Sequence, residues 1–272
     1  CPTSSRVWSE FIPIPKRILN TLSSLGVNED SIFVDDKSHI AILADGVGGH
    51  ESGEIASSEA VSHLNKVLSE IKNAIESPED FNWTLLKNVL REGIIECHRK
   101  VKKLAQENPE SQGMGTTLVF SFFVSNYIFY GHVGDSRLYR YKDKKLTQLT
   151  KDHSLYQQMV DERQLYSDEE INNVPKNIIT QAIGITDHIS PDLSYEALTD
   201  KEIYLLCSDG LSDMVSDDEI QELISSKKDL GDLGEKLLES ALSAGGKDNV
   251  SIILIQPNKS SARKNWINFF KD

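Results

Sequence analysis

Two apolar runs in this chain, His39-Ile40-Ala41-Ile42-Leu43-Ala44 and Ile203-Tyr204-Leu205-Leu206-Cys207, lead into acidic turn steps, Asp45-Gly46 and Ser208-Asp209-Gly210. Short continuous apolar runs bounded by turn residues read as buried strands. Each strand therefore delivers a carboxylate to the rim where it should stop. A third run, Val250 to Ile255, begins just after Lys247-Asp248-Asn249. Glycine beside the carboxylate lets the backbone approach a ligand closely. A fold that buries these strands side by side gathers acidic groups at one edge.

The balance of charge agrees with such a site. The 272 residues include 42 acidic and 29 basic side chains, a net charge of -13. That excludes a nonspecific nucleic-acid binder, which needs a basic face to neutralise phosphates. Cys97 and Cys207 lie in apolar segments without paired spacing and read as buried free thiols, favouring a reducing, cytoplasmic setting. No run approaches the ~20 apolar residues of a membrane span, and the chain opens without a charged-then-apolar leader.

Arg6 to Ile14 reads as an edge strand closed by Pro13 and Pro15. Residues 31–34 and 39–44 form a hairpin around Asp35-Asp36-Lys37. Apolar residues at helical spacing predict helices over about 53–76 and 82–106. Three strands in series follow, Thr116 to Val124, Tyr127 to Val133 and Arg137 to Lys142, and their short connections predict mutual antiparallel pairing. Residues 153–177 read as a small helical insertion, followed by a strand at 202–207, helices near 217–226 and 230–244, and the last strand. Strands, helices and strands in this order predict a layered α+β architecture with two sheets. One domain over 1–257 is expected, with a tail at 258–272 that mixes Lys259, Arg263 and Lys264 with Trp266, Phe269 and Phe270. That tail is read as lying against the domain or fraying, in preference to docking on a membrane.

A lone Asp-Gly is a common turn dipeptide. The constellation of Asp45, Asp209 and Asp248, with Asp135 as a fourth candidate, says more. Hard divalent cations such as Mg²⁺ and Mn²⁺ take oxygen ligands, keep several waters, and need few carboxylates spread over several strand ends. Two such ions close together would activate a shared water for in-line attack on a phosphate monoester. The glycine-rich Val47-Gly48-Gly49-His50 opens onto the first long helix, but no Gly-Lys-Ser/Thr ending follows, which argues against a nucleotide-binding P-loop.

In order, the chain carries Asn28-Glu29-Asp30-Ser31, Ala44-Asp45-Gly46-Val47-Gly48-Gly49-His50, Gly53-Glu54-Ile55-Ala56-Ser57 and Gly113-Met114-Gly115-Thr116-Thr117. Gly131-His132-Val133-Gly134-Asp135-Ser136-Arg137, Ser208-Asp209-Gly210-Leu211 and Lys247-Asp248-Asn249 follow. This series resembles the PPM family of metal-dependent serine/threonine protein phosphatases in its bacterial form. The resemblance implies an α-β-β-α sandwich of four layers, two antiparallel sheets inside, with the 153–177 insertion as a flap. It also implies hydrolysis of phosphoserine and phosphothreonine on proteins by a metal-activated water, opposing a bacterial serine/threonine kinase. By the same resemblance Asp45 would bridge two Mn²⁺ or Mg²⁺ ions, the carbonyl of Gly46 would bind one, and Asp209 and Asp248 the other. Glu29 and Asp30 would hold metal-bound waters, and Asp135 would join Asp209 around a third ion. His50 is a candidate general acid, with loop stabilisation as its alternative, while His132 and His153 read as structural. A catalytically silent relative and a metabolite phosphatase are the competing readings. One departure stands out: where many relatives place an Arg before Asn-Glu-Asp, this chain has Ser24-Leu25-Gly26-Val27, and Arg17 is the nearest upstream substitute.

Overall fold

The computed structural model describes residues 16–21, 28–35, 39–48, 51–74, 82–124, 126–199, 201–226 and 229–257. The expected strand at Arg6–Ile14, the tail at 258–272 and His50 lie outside the described residues. Among the described residues, eleven strands form two antiparallel sheets. One holds β1 (Lys16–Thr21), β11 (Val250–Ile255), β10 (Ile203–Cys207), β7 (Arg137–Lys142) and β8 (Lys145–Gln148), in that order. The other holds β2 (Asp30–Asp35), β3 (Ile40–Val47), β5 (Leu118–Val124), β6 (Tyr127–Val133) and β9 (Asp192–Ala197), with β4 (Gly115–Thr116) paired to β3.

Because side chains alternate across a strand, each buried strand feeds two cores. Ile40, Ile42 and Ala44 of β3 pack with α1 (Glu51–Ala74) and α2 (Trp83–Glu107), while Ala41 and Leu43 face the opposite sheet. On β10, Leu205 and Cys207 join the helical layer built by α5 (Asp209–Ser212), α6 (Asp217–Ser226) and α7 (Leu230–Ser243), while Tyr204 and Leu206 point between the sheets. β11 repeats the pattern, with Ile252 and Leu254 against the helices and Ile253 and Ile255 inside. The result is helix, sheet, sheet, helix, as expected. α3 (Leu155–Asp161) and α4 (Asp168–Asn173) make up the expected flap, and α4 starts at a capping box in which Ser167 and Glu170 satisfy each other's backbone N–H groups. No described helix is long and apolar enough to cross a membrane.

Three expectations need correction. β5 and β6 pair, but β7 pairs with β10 in the other sheet, so the three strands do not form one meander. The chain changes sheet at Gly134-Asp135-Ser136, where Gly134 has φ +102°, in the left-handed region that glycine tolerates best. Second, β3 does not stop at Asp45. It runs on to Val47 because β4 supplies partners for Gly46 and Val47. Third, β8 and β9 are strands in segments where the sequence pattern predicts none. β9 is an edge strand facing water on one side, and its alternation is weak: Leu193, Ser194 and Glu196 are all half-buried.

Leu64 of α1 is fully buried in the helix-sheet core, whereas Leu85 of α2 is 60% exposed. Leu64→Ala is expected to destabilise the protein by about 2–5 kcal/mol in urea denaturation, and Leu85→Ala to stay within about 0.5 kcal/mol of the parent.

Candidate metal centre

The alternation that builds the inter-sheet core also places the carboxylates. Asp45 continues the Ala41, Leu43 side of β3, and Asp30 lies directly opposite it across the β2-β3 ladder, on the side of Ile32 and Val34. Directly opposed residues of an antiparallel pair share a face. Asp30 and Asp45 therefore stand side by side where the apolar filling ends. The neighbouring strands turn polar at the same level: Ser208 follows Tyr204 and Leu206, and Ser251 precedes Ile253 and Ile255.

The backbone around Asp45 is held tightly. Its N–H donates to Thr117 Oγ1 at 3.0 Å, and its carbonyl accepts the Thr117 N–H and the Thr116 hydroxyl, each at 2.8 Å. Thr117 Oγ1 also shares a hydrogen bond of 2.7 Å with Ser136, next to Asp135. Gly46 donates its N–H to the carbonyl of Glu29 at 3.1 Å. A side chain at Gly46 would put Cβ 2.2 Å from the Gly53 carbonyl oxygen, and at Gly53 2.1 Å from Glu29 Oε2. These two glycines let the first turn of α1 press against the Asn28-Glu29-Asp30 segment.

The two other acidic steps arrive from the second sheet. Asp209 opens α5 directly after β10, and a Cβ on Gly210 would fall 1.9 Å from the Asn249 carbonyl oxygen, so α5 rests on the Asp248-Asn249 turn. Asn249 Oδ1 accepts the Glu29 N–H at 2.9 Å, tying that turn across to the first sheet. Ser208 Oγ donates to Asp30 Oδ2 at 3.1 Å and accepts the Ser251 N–H at 3.0 Å. Glu29, Asp30, Asp45, Gly46, Asp135, Asp209 and Asp248 thus lie in one neighbourhood, built from both sheets.

Its electrostatics are severe. Burial, then the charges of Asp30, Asp209, Asp248 and Asp135, push the Asp45 carboxyl well above the usual range. Asp209 is pushed up to about 8, by burial first and then by Asp135 and Asp248. Burial raises Asp30 to about 6 against the hydrogen bond from Ser208, and raises Asp135 to about 6 with Asp152 adding to it. Asp30 Oδ1 and Asp209 Oδ1 are buried without any hydrogen-bond partner. Oxygen donors that repel one another and are left unpartnered fit hard divalent cations, which supply the missing positive charge.

Arg137, the arginine of this neighbourhood, does not supply it. Its Nε and Nη2 fork onto Asp152 at 2.7 to 3.0 Å, and Nη1 donates to Tyr139 Oη at 2.9 Å. Arg17 stands on β1 opposite Leu254. The sequence reading missed Asp213, whose charge adds to the upward shifts of Asp135 and Asp209. It follows Asp209 by one helical turn, and that i to i+4 spacing was the available signal.

Among the described residues, one tighter trio of ligand-type groups exists: His132, His153 and Asp192, with ligand atoms within 4.8 Å of one another. Hydrogen bonding argues against a metal there. His153 Nδ1 accepts the Gly134 N–H at 3.2 Å, so the neutral ring carries its proton on Nε2, which stands 3.5 Å from Asp192 Oδ2. A cation at Nε2 would need that nitrogen's lone pair. His132 Nε2 donates to the Lys151 carbonyl at 2.7 Å, and burial beside His153 lowers its pKa to about 4. The pair braces the chain where it changes sheet, in keeping with the structural reading of both histidines.

Comparison with known proteins gives a consistent answer. A family model described as "Protein phosphatase 2C" matches residues 22–248. Protein phosphatase PhpP of Streptococcus pneumoniae is 38% identical over 224 residues, covering 81% of this chain and 87% of the relative. A solved serine/threonine phosphatase of S. agalactiae superposes with a TM-score of 0.78 at 31% identity, covering 90% of this chain and all of that one (100%). The catalytic domain of serine/threonine protein phosphatase PstP, solved in complex with two manganese ions, gives a TM-score of 0.73 at 31% identity, with coverage of 90% and 99%.

Thr117→Val removes the acceptor for the Asp45 N–H from a buried site. It is expected to cost about 1–3 kcal/mol in chemical denaturation, and Thr117→Ser to recover most of that loss.

Proposed function

The chain belongs to the protein phosphatase 2C family, and from that membership we propose that it removes phosphate from phosphoserine and phosphothreonine side chains of proteins, in a reaction that depends on divalent cations. The observation that carries the reading is the mutual repulsion of Asp45, Asp30 and Asp209, with buried oxygens left unpartnered on the last two. That relatives are serine/threonine phosphatases supports the substrate class, and the manganese-bound relative supports the ion. Bound at this site, Mn²⁺ or Mg²⁺ would activate water and neutralise phosphoryl oxygens.

The chain's own residues take the following roles in this reading. Asp45, set among carboxylates from both sheets, would be shared between two ions, the Gly46 carbonyl would hold one of them, and Asp209 and Asp248 would hold the other. Glu29 and Asp30 orient water from the surrounding shell, Asp30 being itself oriented by Ser208. The charge of Asp135 raises the Asp209 carboxyl, and Asp213 raises both, which suits a third ion held by Asp135 and Asp209. Thr116, Thr117 and Ser136 fix the backbone of Asp45, so that the carboxylate is positioned before substrate arrives. His50 is proposed to protonate the leaving seryl oxygen. A kinase phosphorylating the same hydroxyls is the expected opponent. The free, buried Cys97 and Cys207 support a reducing, cytoplasmic setting.

Asp209→Asn, or excess chelator, is expected to lower phosphate release from a phosphothreonine peptide by ~100-fold or more, measured with Mn²⁺ and with Mg²⁺. Full activity under either condition would overturn the reading. His50→Ala is expected to lower kcat on the phosphopeptide on the order of 10²-fold, yet to spare an aryl phosphate whose leaving group needs no proton. Equal losses on both substrates would remove His50 from the role of acid.

A further inference from the structure

Away from the carboxylates, the second half of α2 carries His98, Arg99, Lys100, Lys102 and Lys103 in a chain whose net charge is -13. Helical spacing brings His98, Arg99, Lys102 and Lys103 to one side. Together with Asp187 and His188 they line a cavity of about 540 Å³. Such a volume falls in the ~300–1,000 Å³ range of small-molecule sites. Ile95 and Ile189 give the same cavity two apolar walls.

Its polar floor is fixed from behind. His98 is only 5% exposed, and its Nδ1 accepts the Gly184 N–H at 3.1 Å. The neutral ring therefore carries its proton on Nε2, and that donor has no hydrogen-bond partner among the described residues. Burial, then the charges of Lys102 and Arg99, lower the His98 pKa, as a positive potential in the cavity requires. The carboxylate in the wall, Asp187, takes Lys102 Nζ at 3.0 Å but is 94% exposed. An ion pair so open to water is worth little. Lys103 meets Glu107 at 3.6 Å in a similarly exposed pair.

We propose that this cavity binds a small phosphate-bearing anion of about nucleoside diphosphate size, at a site separate from the carboxylate centre. The Arg99 guanidinium offers a planar fork for phosphate oxygens, Lys102 and Lys103 offer point charges, and His98 Nε2–H offers a directed donor. Phosphate would displace the weakly held Asp187 from Lys102, and Ile95 and Ile189 would flank the remainder of the ligand. None of the lining residues belongs to the carboxylate centre, and the proposal does not depend on the phosphatase reading.

The test is titration of the metal-loaded full chain with ADP in Mg²⁺ buffer, by calorimetry and by ¹⁵N NMR of the Gly184 amide and His98 Nε2. Saturable binding that shifts both signals is expected, with the double variant Arg99→Ser/Lys102→Ser weaker by about tenfold or more at unchanged circular dichroism. Asp187→Asn is expected to bind roughly twofold to fivefold more tightly, because it removes the competing carboxylate. Asp209→Asn is expected to bind as the parent does. Tripolyphosphate should compete with ADP, and adenosine should not. Unchanged affinity in the double variant, loss of binding in Asp209→Asn, binding of adenosine equal to that of ADP, or no saturation with ADP would each overturn the proposal.

Discussion

The structure turns on the Asp30-Asp45 pair. The six-pair register between β2 and β3 sets two carboxyls side by side at the end of an apolar core, where neither can be ionised cheaply. Asp209 and Asp248 then arrive from the other sheet and make the problem worse. A hydrogen bond from Ser208 offsets part of the cost at Asp30, and the nearby Arg137 is committed to Asp152 and Tyr139. The region makes physical sense as a divalent cation site and poor sense as a stabilising element of the apo fold.

Close packing transmits that demand through the fold. The glycines at 46, 53 and 210 are needed because carbonyl and carboxylate oxygens occupy the space a Cβ would take. Their removal of side chains lets α1, the Glu29 segment and the Asp248-Asn249 turn converge on one point. Asn249 and Ser208 then couple the sheets directly, Asn249 accepting the Glu29 N–H through its side-chain oxygen and Ser208 donating its hydroxyl to Asp30. Opening the sandwich at this end would break these bonds and expose apolar inner faces, so site geometry and fold stability are set by the same contacts.

Much of this was legible in the sequence. Asp45, Asp209 and Asp248 stood out because long apolar runs lead to or from them, and the helical layers were readable from their periodicity. What escaped notice was set by tertiary partners. The continuation of β3 through Asp45 depends on β4, a pair of residues too short to show any period. The change of sheet at Gly134 depends on β10, distant in the chain, and local turn chemistry cannot distinguish a hairpin from a crossover of that length. Asp213 escaped because it follows a helix of four residues, where no amphipathic stripe points to it.

Two histidines solve one recurring problem in the same way. Gly134 and Gly184 both adopt positive φ, at +102° and +88°, and each turns a backbone N–H inward where no strand partner reaches it. His153 and His98 accept those N–H groups through Nδ1. The role requires a neutral ring with a free lone pair, and burial favours that neutral form by lowering the pKa of both residues. With Nδ1 committed, the proton is confined to Nε2, so each ring becomes a donor of fixed direction. In His153 that donor turns toward Asp192 and the chain is braced beside the metal centre. In His98 it turns into a cationic cavity, where a brace becomes one wall of a receptor for an anion.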